Sequence, residues 1–158
     1  MNKEKLIDIL TSSKRYFMIY NLHSADLSSA DLDCANLSSS DLSCTDLICA
    51  DLRYSNLTHS DLTSANLRSA DLTGADLRDA NLTGANLRGA NLQGANLQGA
   101  SLHDANLRGA NLTGANLSGV KGLPSAVDYM EANFERTSDG YVAYKVFDAA
   151  YDLCVKGV

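Results

Sequence analysis

Leucine occupies every fifth position from Leu22 through Leu117, twenty consecutive times without a break. Neither regular element can bury such a series. In an α-helix each residue advances about 100°, so leucines five apart drift by about 140° per repeat and spread over the whole cylinder. In a β-strand side chains alternate between faces, and because five is odd, Leu87, Leu92 and Leu97 would point to opposite sides in turn. The series is buried together only if the chain turns through a similar angle in each phrase, winding short extended pieces around one axis. The stretch "ANLRGANLQGANLQGA", residues 85 to 100, shows the phrase in its plainest form.

The remaining positions of the phrase divide by role. Two residues before each leucine stands a small residue, usually Ala, with Ser40, Thr45, Ser55 and Ser60 as polar substitutes and Tyr20 at the start. This is the second inward position. Immediately before each leucine lies Asp or Asn, with Ser101 the only departure; these side chains bond local backbone groups and are expected to orient the turn. The two residues after the leucine are variable and expected to face water. Glycine fills the second of them from Gly74 to Gly119 except at Asp79 and Asp104, which reads as turn chemistry and not as a phosphate cradle.

This A-(D/N)-L-x-x pattern over residues 20–119 resembles the pentapeptide-repeat family. The resemblance implies an all-β solenoid, a right-handed quadrilateral parallel β-helix with four phrases to a coil and about five coils in all. Two series recurring at twenty residues agree with it: Arg68, Arg88 and Arg108, and Asp31, Asp51 and Asp71. Both would stack at the inter-strand spacing of about 4.8 Å. A stack has two open ends that invite edge-to-edge pairing, so both flanks are expected to be caps. Residues 1–19 are predicted to form an N-terminal helical cap, with a helix over 3–11 presenting Leu6, Ile7 and Leu10. Residues 120–158 are predicted to form a partly helical capping or interaction segment. Ser125 and Asp128 suggest an N-cap, Val127, Met130 and Phe134 make an apolar stripe, and the spacing predicts a helix over about 126–136, with Gly140 as a stop. The final stretch fits a helix or a strand. The tail also resembles a C-terminal module that accompanies many pentapeptide repeats in bacterial and phage proteins. Val127, Met130, Phe134, Tyr144 and Phe147 are its candidate cap or dimer contacts.

Composition narrows the function. The formal net charge of −6 disfavours direct binding to nucleic acid or an anionic membrane, which needs clustered Lys and Arg. No 18-residue apolar segment suggests a membrane span, and no signal peptide is expected in "MNKEKLIDIL". Cys34, Cys44, Cys49 and Cys154 therefore read as reduced thiols of a cytoplasmic protein, without zinc-ligand spacing. His23, His59 and His103 face outward without triad-like partners. No catalytic, metal-ligating or cofactor-binding residue is predicted, because twenty uninterrupted phrases leave no insertion to build a pocket. The candidate partner surface comprises Arg68, Arg88, Arg108, Asp31, Asp51 and Asp71. Charge is uneven along the chain: residues 20–69 carry seven Asp against Arg53 and Arg68, net −5, and residues 70–119 four Asp against Arg78, Arg88 and Arg108, net −1. The expected function is a non-enzymatic rod-like scaffold or protein-interaction module, homodimeric through its C-terminal segment. The resemblance implies an alternative, since some pentapeptide-repeat proteins are acidic dimeric rods that mimic DNA, bind DNA gyrase and protect it from quinolones.

Overall fold

The computed structural model describes residues 20–123 together with the backbone of two short strands, β1 (Arg136–Thr137) and β2 (Gly140–Tyr141). Over residues 20–123 the chain winds as a solenoid. Parallel bridges join residues twenty apart, from Asn21↔Asp41 without interruption to Ser101↔Lys121, so four phrases complete one coil. The backbone bonds alternate between neighbours: the Leu22 N–H donates to the Asp41 carbonyl at 2.7 Å, and the Asp41 N–H donates to the Tyr20 carbonyl at 2.9 Å.

Corners come from a tight turn in each phrase. The N–H three residues after each leucine donates back to the leucine carbonyl, as from Ala30 to Leu27 at 3.0 Å. The residue just before that N–H has positive φ throughout, 56° at Ser24 and 66° at Gly74, for example. A turn with positive φ at its third residue favours Gly, and Ser, Cys or Asp fit there at some strain.

This geometry points every leucine inward. Leu27 through Leu102 are fully buried at 0% exposure, and the alanines from Ala65 to Ala100 are at 1% or less. The polar substitutes at the alanine position are buried too, and each has a bonding partner. The Ser55 and Ser60 hydroxyls donate to the carbonyls of Leu52 and Leu57, both at 2.7 Å, Thr45 donates to Leu22 at 2.9 Å, and Ser40 accepts from the Tyr20 N–H at 3.2 Å. A buried hydroxyl that is satisfied locally costs little in such a core.

The ladder runs two residues beyond the last phrase, since the Lys121 N–H donates to the Ala100 carbonyl and the Leu102 N–H to that of Lys121. The predicted helix over 3–11 lies outside the described residues, as do Val127, Met130, Phe134, Tyr144 and Phe147. The predicted helix over 126–136 needs correction at its end: Arg136 belongs to β1 and pairs antiparallel with Tyr141, and Gly140, expected to stop the helix, pairs with Thr137 in β2. The pairing of Thr137 with Gly140 commits these residues to an antiparallel ladder and not to a further helical turn.

Candidate interaction surface

Because the register is twenty, every fourth phrase lies on the same face and outward side chains form columns along the stack. On one face the residues preceding leucine run Asp31, Asp51, Asp71, Asn91 and Asn111, joined by successive bridges. On the face before it they run Asp26, Asp46, Asn66, Asn86 and Asn106, and two residues further on stand Ser28, Ile48, Arg68, Arg88 and Arg108. Each predicted series is thus one column, and the two columns occupy neighbouring faces.

The aspartates are engaged by their own turns. Oδ1 of Asp31 accepts the Asp33 N–H at 3.2 Å, and Oδ1 of Asp71 accepts the Thr73 N–H at 3.0 Å and its hydroxyl at 2.6 Å. The same bond recurs along the chain, as at Asp26, Asn56 and Asn116, in accord with the turn-orienting role expected from sequence. Asp51 is engaged further. Arg53 Nε donates to its Oδ1 at 2.8 Å and a terminal nitrogen to its Oδ2 at 2.6 Å, a planar fork that Arg78 repeats on Asp76. These guanidinium bonds hold the carboxyls of Asp51 and Asp76 below the usual carboxylate range, and bonds from the Ser43 hydroxyl and N–H do the same for Asp41. Sequence reasoning missed the two forks. The signal was present, because an Asp-Leu-Arg phrase places acid and base on the same outer face two residues apart.

Arg68, Arg88 and Arg108 follow Asn-Leu instead and have no acid in their own phrase. The N–H groups of Arg88 and Arg108 donate to Asn86 Oδ1 and Asn106 Oδ1 at 3.2 and 3.1 Å, while their guanidinium groups stand exposed. Among the described residues the ion pairs join Arg53 to Asp51, Arg78 to Asp76 and His59 to Asp79, and none reaches this column.

Asparagine also bonds between coils. Asn91 Nδ2 donates to Asp71 Oδ1 at 3.3 Å and to Thr73 Oγ1 at 2.8 Å, and Asn111 Nδ2 donates to Asn91 Oδ1 at 3.0 Å. Ionised aspartate has no such donor. The change from Asp to Asn along the chain therefore separates an acidic surface from a cross-linked one.

The other candidates are dispersed. His23 Nδ1 lies 2.8 Å from Ser43 Oγ, His59 Nδ1 lies 4.0 Å from Asp79 Oδ2, and all three histidines are exposed. Cys34, Cys44 and Cys49 are exposed at separate corners. Among the described residues no group of three His, Cys, Asp or Glu converges as a metal site would require, and no helix is long and apolar enough to cross a membrane.

The profile of the pentapeptide repeats, eight copies long, matches residues 21–58, 45–84 and 85–121. No curated protein matches the chain. Among solved structures it is similar to a pentapeptide repeat protein (Rfr23) from the cyanobacterium Cyanothece 51142, with 44% identity and a TM-score of 0.55 over 55% of this chain and 59% of that one. The chain thus spans under two thirds of that relative. It is also similar to a pentapeptide repeat protein from the Arabidopsis thaliana thylakoid lumen, with 26% identity and a TM-score of 0.43 over 88% of this chain and 90% of that one. A third likeness is to QnrB1, a plasmid-mediated fluoroquinolone resistance protein, with 24% identity and a TM-score of 0.29 over 62% of this chain and 60% of that one. The twenty-residue register, the buried leucine core and the cyanobacterial neighbour establish a right-handed β-helical solenoid, and the chain belongs to the pentapeptide repeat family.

Proposed function

We propose that this chain is a non-enzymatic scaffold whose outer faces bind a protein partner in the cytoplasm, and that residues 120–158 join two copies into a homodimer. Pentapeptide repeat proteins are generally interaction modules, and the observation that favours a partner here is the exposed column of Arg68, Arg88 and Arg108, which no acid neutralises among the described residues. Flat columns of polar side chains suit recognition better than catalysis, which needs groups converging in a concave site. The test is capture from the native host with the intact chain and with variants in which the outward residues of one face at a time become Ser or Thr. A protein retained by the intact chain and lost on blanking one face supports the reading; retention profiles that no face replacement alters would overturn it. Light scattering of the full chain beside one ending at Leu123 tests the dimer, which requires the shorter chain to be monomeric.

A second reading, gyrase binding by a DNA-mimicking rod, draws on the net charge of −6 and the aspartate columns of the first coils. The likeness to QnrB1 lends it no weight at that identity and TM-score. A supercoiling assay with and without a quinolone decides it: gyrase unaffected by a stoichiometric excess of the protein ends this alternative.

A further inference from the structure

We infer that the column of Arg68, Arg88 and Arg108 is a docking strip for one α-helix of a partner protein, a helix carrying a carboxylate on each of three successive turns and an apolar side chain on the next. The inference rests on the protein-binding reading above and names the partner's chemistry.

Three observations carry it. The first is spacing: two coil steps span about 9.6 Å and two helical turns about 10.8 Å, so acids at i, i+4 and i+7 on a helix meet the three guanidinium groups with a mismatch of about 1 Å. Long arginine side chains absorb that difference. An extended strand, with same-face side chains about 6.6 Å apart, falls out of step by the third arginine.

The second observation is the length of the strip. Below Arg68 the same column continues with half-buried Ile48 and then Ser28, and the adjoining column turns acidic at Asp46 and Asp26. A long polyanion such as single-stranded nucleic acid would run on over these acids and beside Asp31, Asp51 and Asp71 on the next face. A helix with three acids ends where the arginines end, and an apolar residue one turn further lies over Ile48.

The third is access. The corner following the arginines carries Ser69, Gly89 and Gly109, and a Cβ added at Gly89 would meet the Ser69 hydroxyl at 3.7 Å, an ordinary contact. The rim beside the strip is low enough for a helix backbone to approach.

The test is an NMR titration of the ¹⁵N-labelled full chain with a synthetic helical peptide bearing Glu on three successive turns and Leu on the fourth. A second peptide of identical composition has its acids distributed around the helix, and a third probe is a single-stranded oligodeoxynucleotide. Shifts confined to Arg68, Arg88, Arg108, Ile48 and their neighbours are expected, with the striped peptide binding at least tenfold more tightly than the dispersed one. Replacement of the three arginines by Gln is expected to abolish those shifts while leaving the melting temperature unchanged, since Gln93 and Gln98 already occupy the equivalent position of the phrase. Equal binding of both peptides, shifts on another face, tighter binding of the oligonucleotide, or binding that survives the Gln variant overturns the inference. Failure of the striped peptide beside a face-dependent host partner refutes this inference alone, whereas loss of both refutes the reading beneath it.

Discussion

The third residue of each turn carries the strain of the fold. Ser, Cys, Tyr, His and Asp adopt φ of 53° to 57° there, and the glycines of the later phrases 66° to 72°. Tyr54 is the extreme case, a bulky side chain in the left-handed region and 63% exposed, with its ring over the Gly74 corner one coil away. Gly94 has open space where a Cβ would stand, whereas a Cβ at Gly74 would meet the Tyr54 ring at 2.6 Å. Gly94→Ala is therefore expected to cost about 1–2 kcal/mol, the left-handed penalty alone. Gly74→Ala should cost measurably more in urea denaturation, and the excess should disappear in a Tyr54→Ala background. Acid titration is a second prediction at this scale. Asp51 and Asp76 have depressed folded pKa values, so their contribution to stability is present above the unfolded carboxylate pKa of about 4 and is lost as pH falls through the folded value. Carboxyl ¹³C titration should place both below the ordinary aspartate, and Arg53→Gln should return Asp51 toward it while leaving Asp76 unmoved.

The coil is the next unit, and the contacts between coils differ along the chain. Where Asn81 stands above Asp61 and Asn91 above Asp71, the amide donates across the gap; where Asp51 stands above Asp31, an ionised carboxylate offers no donor for such a bond. Asn91→Asp removes both cross-coil bonds and extends the acidic column. It is expected to destabilise the fold by about 1–2 kcal/mol at pH 7; thermal melts of the two proteins measure the difference. In the core, Leu67 is fully enclosed by leucines and alanines of adjacent coils. Leu67→Ala should cost about 3–5 kcal/mol, since stacked coils cannot collapse into the cavity. The inward Leu and Ala positions were legible because their period excluded every alternative. The forks of Arg53 and Arg78 were not read, because they depend on which two of five residues share an outer face.

At the scale of the whole solenoid, residues 20–123 form a one-dimensional stack in which each coil is bridged to the coils next to it. Deleting one full coil, residues 61–80, keeps every bridge partner twenty apart and is expected to leave a folded, less stable rod by circular dichroism. Removing Gly94 alone shifts all later leucines out of the inward position of the coil they stack on. That single deletion is expected to lower the melting temperature more than removal of the twenty residues, and the reverse order would show that the register is not the organising constraint.

The sequence by itself determined the solenoid, its interior and its turns, because a five-residue period admits one way of burying twenty leucines and because Asp, Asn and Gly act within their own phrase. Only the tertiary structure decided what the exterior is. The twenty-residue register set outward residues in columns, linked asparagines across coils and left Arg68, Arg88 and Arg108 exposed side by side, while the outer face of a single phrase paired Arg53 and Arg78 with their own aspartates. The columns and the asparagine links depend on distances between residues twenty apart, which local composition does not encode and a closed coil sets.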